Sequence, residues 1–144
     1  MISIEQSILD QIVEHAKADF PNEACGYLAG NDGVITFSYH LTNTDHSPEH
    51  FSFDPTEQFQ TLKDARSKDL QIMANYHSHP ATPARPSVED IRLAYDPEIS
   101  YVIISLASEQ ADVRSFKIRN SIVEKEEIIV TSLPRSWRVK TPGR

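Results

Sequence analysis

The sequence predicts a mixed α/β sandwich, a central β-sheet with a helix packed on each face. Three observations lead there. Two stretches, one near the start and one after Asp54, carry apolar residues at helical spacing. Short strand-like runs punctuated by Gly, Asn and Pro lie between and after them. The run Tyr101-Val102-Ile103-Ile104-Ser105-Leu106 is apolar almost throughout, as expected of a central strand covered on both faces. At 144 residues the chain is one domain by size, with enough material for a core. That domain is expected to span residues 1–131.

Ser3 and Gln6 have capping-box spacing, and Ile4, Ile8, Leu9, Ile12, Val13 and Ala16 then recur on one helical face. A first helix therefore runs to about Asp19, stopped by Pro21. Glu23 to Gly30 reads as a strand, and Asn31-Asp32-Gly33 turns it into a second strand, Val34 to Leu41. Thr42 to His50 is polar loop, and Phe51-Ser52-Phe53 reads as a short strand. Asp54-Pro55-Thr56-Glu57 places a cap, a first-turn Pro and an acidic third position at a helix start, with Phe59, Leu62, Ala65 and Leu70 as its apolar stripe. Gln71 to Tyr76 is a strand, Ser87 opens a short third helix, and Asp96-Pro97 breaks the chain. Two more strands, about Asp112 to Arg119 and Ile122 to Thr131, form a hairpin around Arg119-Asn120-Ser121. Residues 132–144 carry two prolines and the basic residues Arg135, Arg138, Lys140 and Arg144, and read as a disordered tail.

Composition narrows the function. A net charge of −7 argues against a nucleic-acid partner, since phosphate binding calls for a basic patch. No apolar run approaches the length of a membrane span and no signal peptide opens the chain, so the expected location is the cytoplasm. Cys25 is the lone cysteine, which excludes an intrachain disulfide. It also excludes zinc-deaminase chemistry, which needs two or more cysteine ligands. A thiol nucleophile at Cys25 is the poorer reading, because free cysteine in an apolar strand is generally buried and inert.

The densest chemistry lies between His77 and Asp90. Continuing the Gln71–Tyr76 strand through His77 and His79 puts both imidazoles on one face. Pro80, Pro83 and Pro86 stiffen the following loop, and Ser87 is a good N-cap with Asp90 at the third helical position. A stiff strand-to-helix loop can return that carboxylate over the histidines. Two His and one Asp leave a fourth tetrahedral position open, which is how a catalytic zinc site differs from a closed structural one. The plainer reading keeps Ser87 as a cap and Asp90 as a charge favoured by the helix dipole. His46 and His50 sit in a Ser-Pro loop and read as solvent-exposed or substrate-contacting; His15 and His40 read as structural or surface residues.

Taken together, Pro21-Asn22-Glu23-Ala24-Cys25-Gly26, His77-Ser78-His79-Pro80 and Ser87-Val88-Glu89-Asp90 resemble the JAMM (MPN+) metalloprotease family. Its signature is a Glu on an early strand, His-[Ser/Thr]-His-Pro, then Ser-x-x-Asp. The resemblance runs roughly from Ile4 to Val130 and implies a fold similar to that of cytidine deaminases. It implies one Zn2+ on His77, His79 and Asp90, Glu23 as general base, and Ser87 as the oxyanion donor, with Ser78 a second candidate. Glu23 by itself would read only as a surface or strand-edge carboxylate.

JAMM proteins cleave peptide or isopeptide bonds at the C-terminus of ubiquitin and its relatives. The short loops here look like the small prokaryotic members, associated with ubiquitin-like sulfur carriers. The expected partner is therefore a ubiquitin-like or sulfur-carrier protein ending in Gly-Gly, its tail held along an exposed strand edge beside the metal. Two rival classes are a non-catalytic MPN-type scaffold and a RadC-like protein of DNA metabolism. The intact motif positions argue against the first, and the acidic charge with Ser78 between the histidines argues against the second.

Overall fold

A computed structural model describes residues 1–131, and the expected tail lies outside the described residues. In chain order the elements are β1 (Ile2–Glu5), α1 (Gln6–Asp19), β2 (Cys25–Asn31), β3 (Val34–Leu41), α2 (Pro55–Ser67), β4 (Gln71–His79), α3 (Val88–Arg92), β5 (Ser100–Ser105), β6 (Asp112–Arg119), β7 (Ile122–Glu126) and β8 (Ile128–Thr131). The strands form one mixed sheet in the order β7-β6-β5-β4-β2-β3-β1-β8. β4 lies inside it, antiparallel to β2 and parallel to β5, and β5 is buried along its whole length.

Strand alternation separates two faces. Leu28, Ala74, Tyr76, Val102 and Ile104 pack with Ile8, Ile12 and Ala16 of α1 in the larger core. The opposite face carries α2, tied by the Tyr39 hydroxyl to Asp64 (2.6 Å) and by Gln58 to the Tyr27 hydroxyl (2.9 Å). A smaller core of Ala84, Tyr101, Ile103, Phe116 and Ile118, flanked by Ile91 of α3, also lies there. The expected layering, α1 on one face and α2 on the other, is what the chain adopts.

The first and last strands depart from the sequence reading. Ile2 to Glu5 is a strand and not the opening of the helix, so the Ser3–Gln6 capping box does not form; the cap position is Glu5, whose side chain does not cap the helix. Parallel pairing with β3 and β8 holds those residues, and such distant pairing leaves no local periodicity to read. The expected Ile122–Thr131 strand divides at Glu127. Its first half pairs with β6 and its second with β1, so one bent segment joins the two borders of the sheet and curls it around α1.

α2 starts as expected, with Asp54 accepting from the Thr56 N–H and Pro55 in the first turn. The Glu57 carboxylate instead accepts from Thr42, from its N–H (2.8 Å) and hydroxyl (2.9 Å). Its expected stripe is only partly inward: Ala65 is buried, but Phe59 and Leu62 are 64% and 49% exposed. Phe51–Phe53 contributes a single bridge, Asn43 to Phe53, and not a strand. Among the described residues no helix is long and apolar enough to cross a membrane.

Candidate metal centre

The site grows from the end of β4. Cys25 and His77 are register partners, as are His77 and Ile103, so the ligand strand is held on both sides. His77 and His79 share the face opposite α1, at 3% and 5% exposure. After His79 the chain leaves the sheet through a fastened loop. The Ser105 hydroxyl donates to the Thr82 carbonyl (2.6 Å), and His79 Nδ1 donates to the Pro83 carbonyl (2.9 Å). That second bond places a proton on Nδ1 and turns Nε2 inward, where loss of its own proton would free a lone pair for a metal ion.

The loop delivers α3 with its start against the histidines. Ser87 Oγ accepts from the Asp90 N–H (3.0 Å) and Asp90 Oδ2 accepts from the Ser87 N–H (2.9 Å), a reciprocal cap that turns the carboxylate back over β4. Asp90 Oδ2 lies 3.1 Å from His77 Nε2 and 3.1 Å from His79 Nε2, and the two nitrogens are 3.1 Å apart. A tetrahedral zinc with bonds of about 2.0–2.1 Å sets its ligand atoms roughly 3.3 Å apart. The triangle therefore fits an ion bound by two imidazoles and one carboxylate, a donor set suited to zinc. These three residues form a possible metal-binding group.

The electrostatics agree with that use. Burial alone would raise the Asp90 carboxyl, but hydrogen bonds from His77 and His79 outweigh it and hold the group well below the usual carboxylate range. Burial opposes charge on His79 too, yet its bonds to Asp90 and Pro83 raise it. The ring of Phe51 stacks on His77 at 4.7 Å and 23°. Among the described residues, the buried His77 Nδ1 has no hydrogen-bond partner, so there the ring's orientation rests on stacking and on the inward-facing nitrogen.

Glu23 lies just before β2 and is 5% exposed. Burial pushes its carboxyl up to about 8, with smaller opposed contributions from His79 and Asp90. It lines a cleft of about 480 Å³ together with His79, Pro80, Thr82 and Ser87, which brings the expected base, one ligand and the expected oxyanion donor onto one wall. The Ser87 hydroxyl accepts from the Asp90 amide, a bond that does not use the hydroxyl's own proton.

Two expectations change here. Ser78 is fully buried on the face away from the histidines, where its hydroxyl accepts from the Ala24 N–H (2.8 Å) and its N–H donates to the Ala24 carbonyl (3.0 Å). It cannot touch an oxyanion; it splices the chain beside Glu23 to the ligand strand. The period-2 rule already placed it there. Second, an exposed strand edge beside the metal would have to come from a strand other than β4, because β2 and β5 pair with it on both sides.

Other residues sort more simply. Cys25 is buried, and burial pushes its thiol up to about 12, which removes it as a nucleophile at neutral pH. His15 bonds the Tyr76 hydroxyl (2.7 Å) and stacks on His40 at 4.4 Å, a structural arrangement. His50 pairs with Glu89 of α3 (2.8 Å), a link across the site for which neighbouring sequence offers no signal.

Known proteins share this sequence pattern and this fold. The family model for prokaryotic homologs of the JAB domain matches residues 5–119. The chain is 34% identical over 133 residues to the CysO-cysteine peptidase of Mycobacterium tuberculosis, covering 90% of this chain and 91% of that one. Its fold matches the solution structure of protein DSY2949 from Desulfitobacterium hafniense, with a TM-score of 0.87, 46% identity, and coverage of 94% and 97%. It is also similar in fold to a structure described as JAMM, a metalloprotease-like zinc site in the proteasome and signalosome, with a TM-score of 0.59, 21% identity, and coverage of 92% and 99%.

Proposed function

Because the chain belongs to the prokaryotic JAB family of JAMM-type hydrolases, we propose that it is a zinc metallopeptidase cutting after the C-terminal Gly-Gly of a ubiquitin-like, sulfur-carrier-type protein. The observation that carries this reading is the triangle of donor atoms from His77, His79 and Asp90, 3.1 Å on each side, with buried Glu23 on the wall of the adjoining cleft.

His77, His79 and Asp90 would hold one zinc ion. When bound there, zinc supplies a Lewis acid that polarises the scissile carbonyl and lowers the pKa of a ligand water to about 7. Glu23 takes the proton of the attacking water as its oxygen bonds to the carbonyl carbon. It then returns that proton to the nitrogen as the C–N bond breaks. A carboxyl raised to about 8 by its buried setting can hold and release a proton near neutral pH. Ser87 donates its hydroxyl to the carbonyl oxygen as negative charge develops there. Pro80, Ala81 and Thr82, together with Phe20, Pro21 and Pro48, narrow the approach. A tail without side chains enters such a cleft more readily than one with them, and this is the basis for a Gly-Gly preference.

The experiment uses a carrier ending in Gly-Gly and extended by one residue, incubated with the zinc-loaded protein and followed by mass spectrometry. Cleavage after the second glycine is expected, with strong slowing when that glycine is valine and complete loss with a zinc chelator. Equal cutting of the glycine and valine carriers, or cutting that survives the chelator, overturns the reading.

A further inference from the structure

Asn43 has no part in the chemistry above, yet its side chain joins more of the site's framework than any residue that does. It follows β3, is 5% exposed, and spends its whole carboxamide on backbone. Nδ2 donates to the Glu23 carbonyl (3.0 Å) and to the His50 carbonyl (2.9 Å), with the Ser47 carbonyl at 3.5 Å. Oδ1 accepts from the Asp45 N–H (3.0 Å) and the Ser52 N–H (3.3 Å). The same loop also receives the Glu23 N–H at the Ser47 carbonyl (2.9 Å).

The groups gathered by this one amide are unequal in meaning. Glu23 is the base, and Phe51, flanked by His50 and Ser52, stacks on His77. One side chain therefore sets the base's peptide and the segment backing a ligand ring in a single register. Only an amide does this at one carbon. Carbonyls on one side need a donor, N–H groups on the other need an acceptor, and an aspartate would set a carboxylate oxygen against two carbonyl oxygens.

We propose that Asn43 is a positioning residue that fixes Glu23 relative to His77, His79 and Asp90. This rests on the assignment of Glu23 as the base. Ser78 holds the following residue, Ala24, to the ligand strand, so the backbone from which the Glu23 carboxyl springs is clamped from both sides. Loss of the Asn43 clamp breaks no hydrogen bond of the ligand triangle, which it touches only through the Phe51 ring on His77, whereas the peptide of Glu23 loses its bond directly.

The test is a double-mutant cycle on the zinc-loaded protein with Asn43→Asp, Glu23→Gln and the double variant, reading kcat, KM, zinc content and Tm. Asn43→Asp is expected to lower kcat about tenfold or more, with KM and zinc content near parent values. The double variant is expected to be no slower than Glu23→Gln alone. If Asn43→Asp does not fold, Asn43→Ser, which keeps one donor, goes through the same cycle. A kcat at the parent value, losses that multiply in the double variant, or lost zinc overturns the positioning role while leaving Glu23 as base. Parent-level turnover by Glu23→Gln overturns the base assignment and this role together.

Discussion

Glu23 shows how an environment changes what a residue can do. As a sequence letter it is an ordinary carboxylate; in the fold it is buried, with its carboxyl raised to about 8. Glu23→Gln is expected to lower turnover about a hundredfold or more while zinc stays bound, checked by steady-state kinetics beside metal analysis. The same burial makes a statement about stability in protein stripped of metal. A carboxyl whose folded value lies above its ordinary 4.5 contributes fully below that value and loses its contribution as pH rises through about 8. Raised His79 acts in the same sense, whereas Asp90, held below the carboxylate range, does not change in this window. Stripped protein should therefore lose stability, on the order of a few kcal/mol, from about pH 5 to about pH 8. Glu23→Gln should flatten most of that decline in urea melts. An unchanged slope in the variant would show that the burial cost lies elsewhere.

At the scale of elements, the ligand strand and its neighbours were readable because their rules are local. Period 2 placed His77 and His79 together, and cap chemistry placed Ser87 and Asp90, each within a few residues of its partner. Glu23 was legible only through family resemblance, since the fold that brings it to the ligands spans more than fifty residues. β1 and β8 were misread for the same reason, their pairing being set by residues at opposite ends of the described chain. Phe59 and Leu62 show the converse failure: helical spacing was correct, but spacing does not say whether anything covers the stripe. Gly26 gives this level a sharp test. It pairs with His40 and Tyr76, and an added Cβ would run into the Tyr39 carbonyl oxygen and lie 2.6 Å from Tyr76 Cε2. Backbone in the middle of a sheet cannot yield, so Gly26→Ala should destabilise by about 3 kcal/mol or more. Chemical denaturation measures this, and a loss below about 1 kcal/mol would mean that the strands can part there.

At the scale of the molecule, the bent segment from Ile122 to Thr131 joins both borders of the sheet. Glu126 anchors its bend, accepting from the Ser100 and Ser115 hydroxyls and pairing with the amino group of Met1 at 3.3 Å. A chain cut after Glu126 would leave β1 unpaired on one side and lose the Ile128 contact with the core. Such a truncation should associate or aggregate, as size-exclusion chromatography would show; a well-behaved monomer with the parent Tm would refute the closing role of β8.

That closure also fixes an order of events on the ribosome. Every residue assigned to the chemistry, from Glu23 to Asp90, is translated before Ile128 emerges, yet β1 waits for it with one side unpaired. Early hairpins can form and the two histidines can meet while the nascent chain is still attached, but the curl around α1 cannot shut until the last strand is free. The interval between those moments is when an unfinished enzyme already displays the two imidazoles of its candidate metal centre on a scaffold still open to wrong partners.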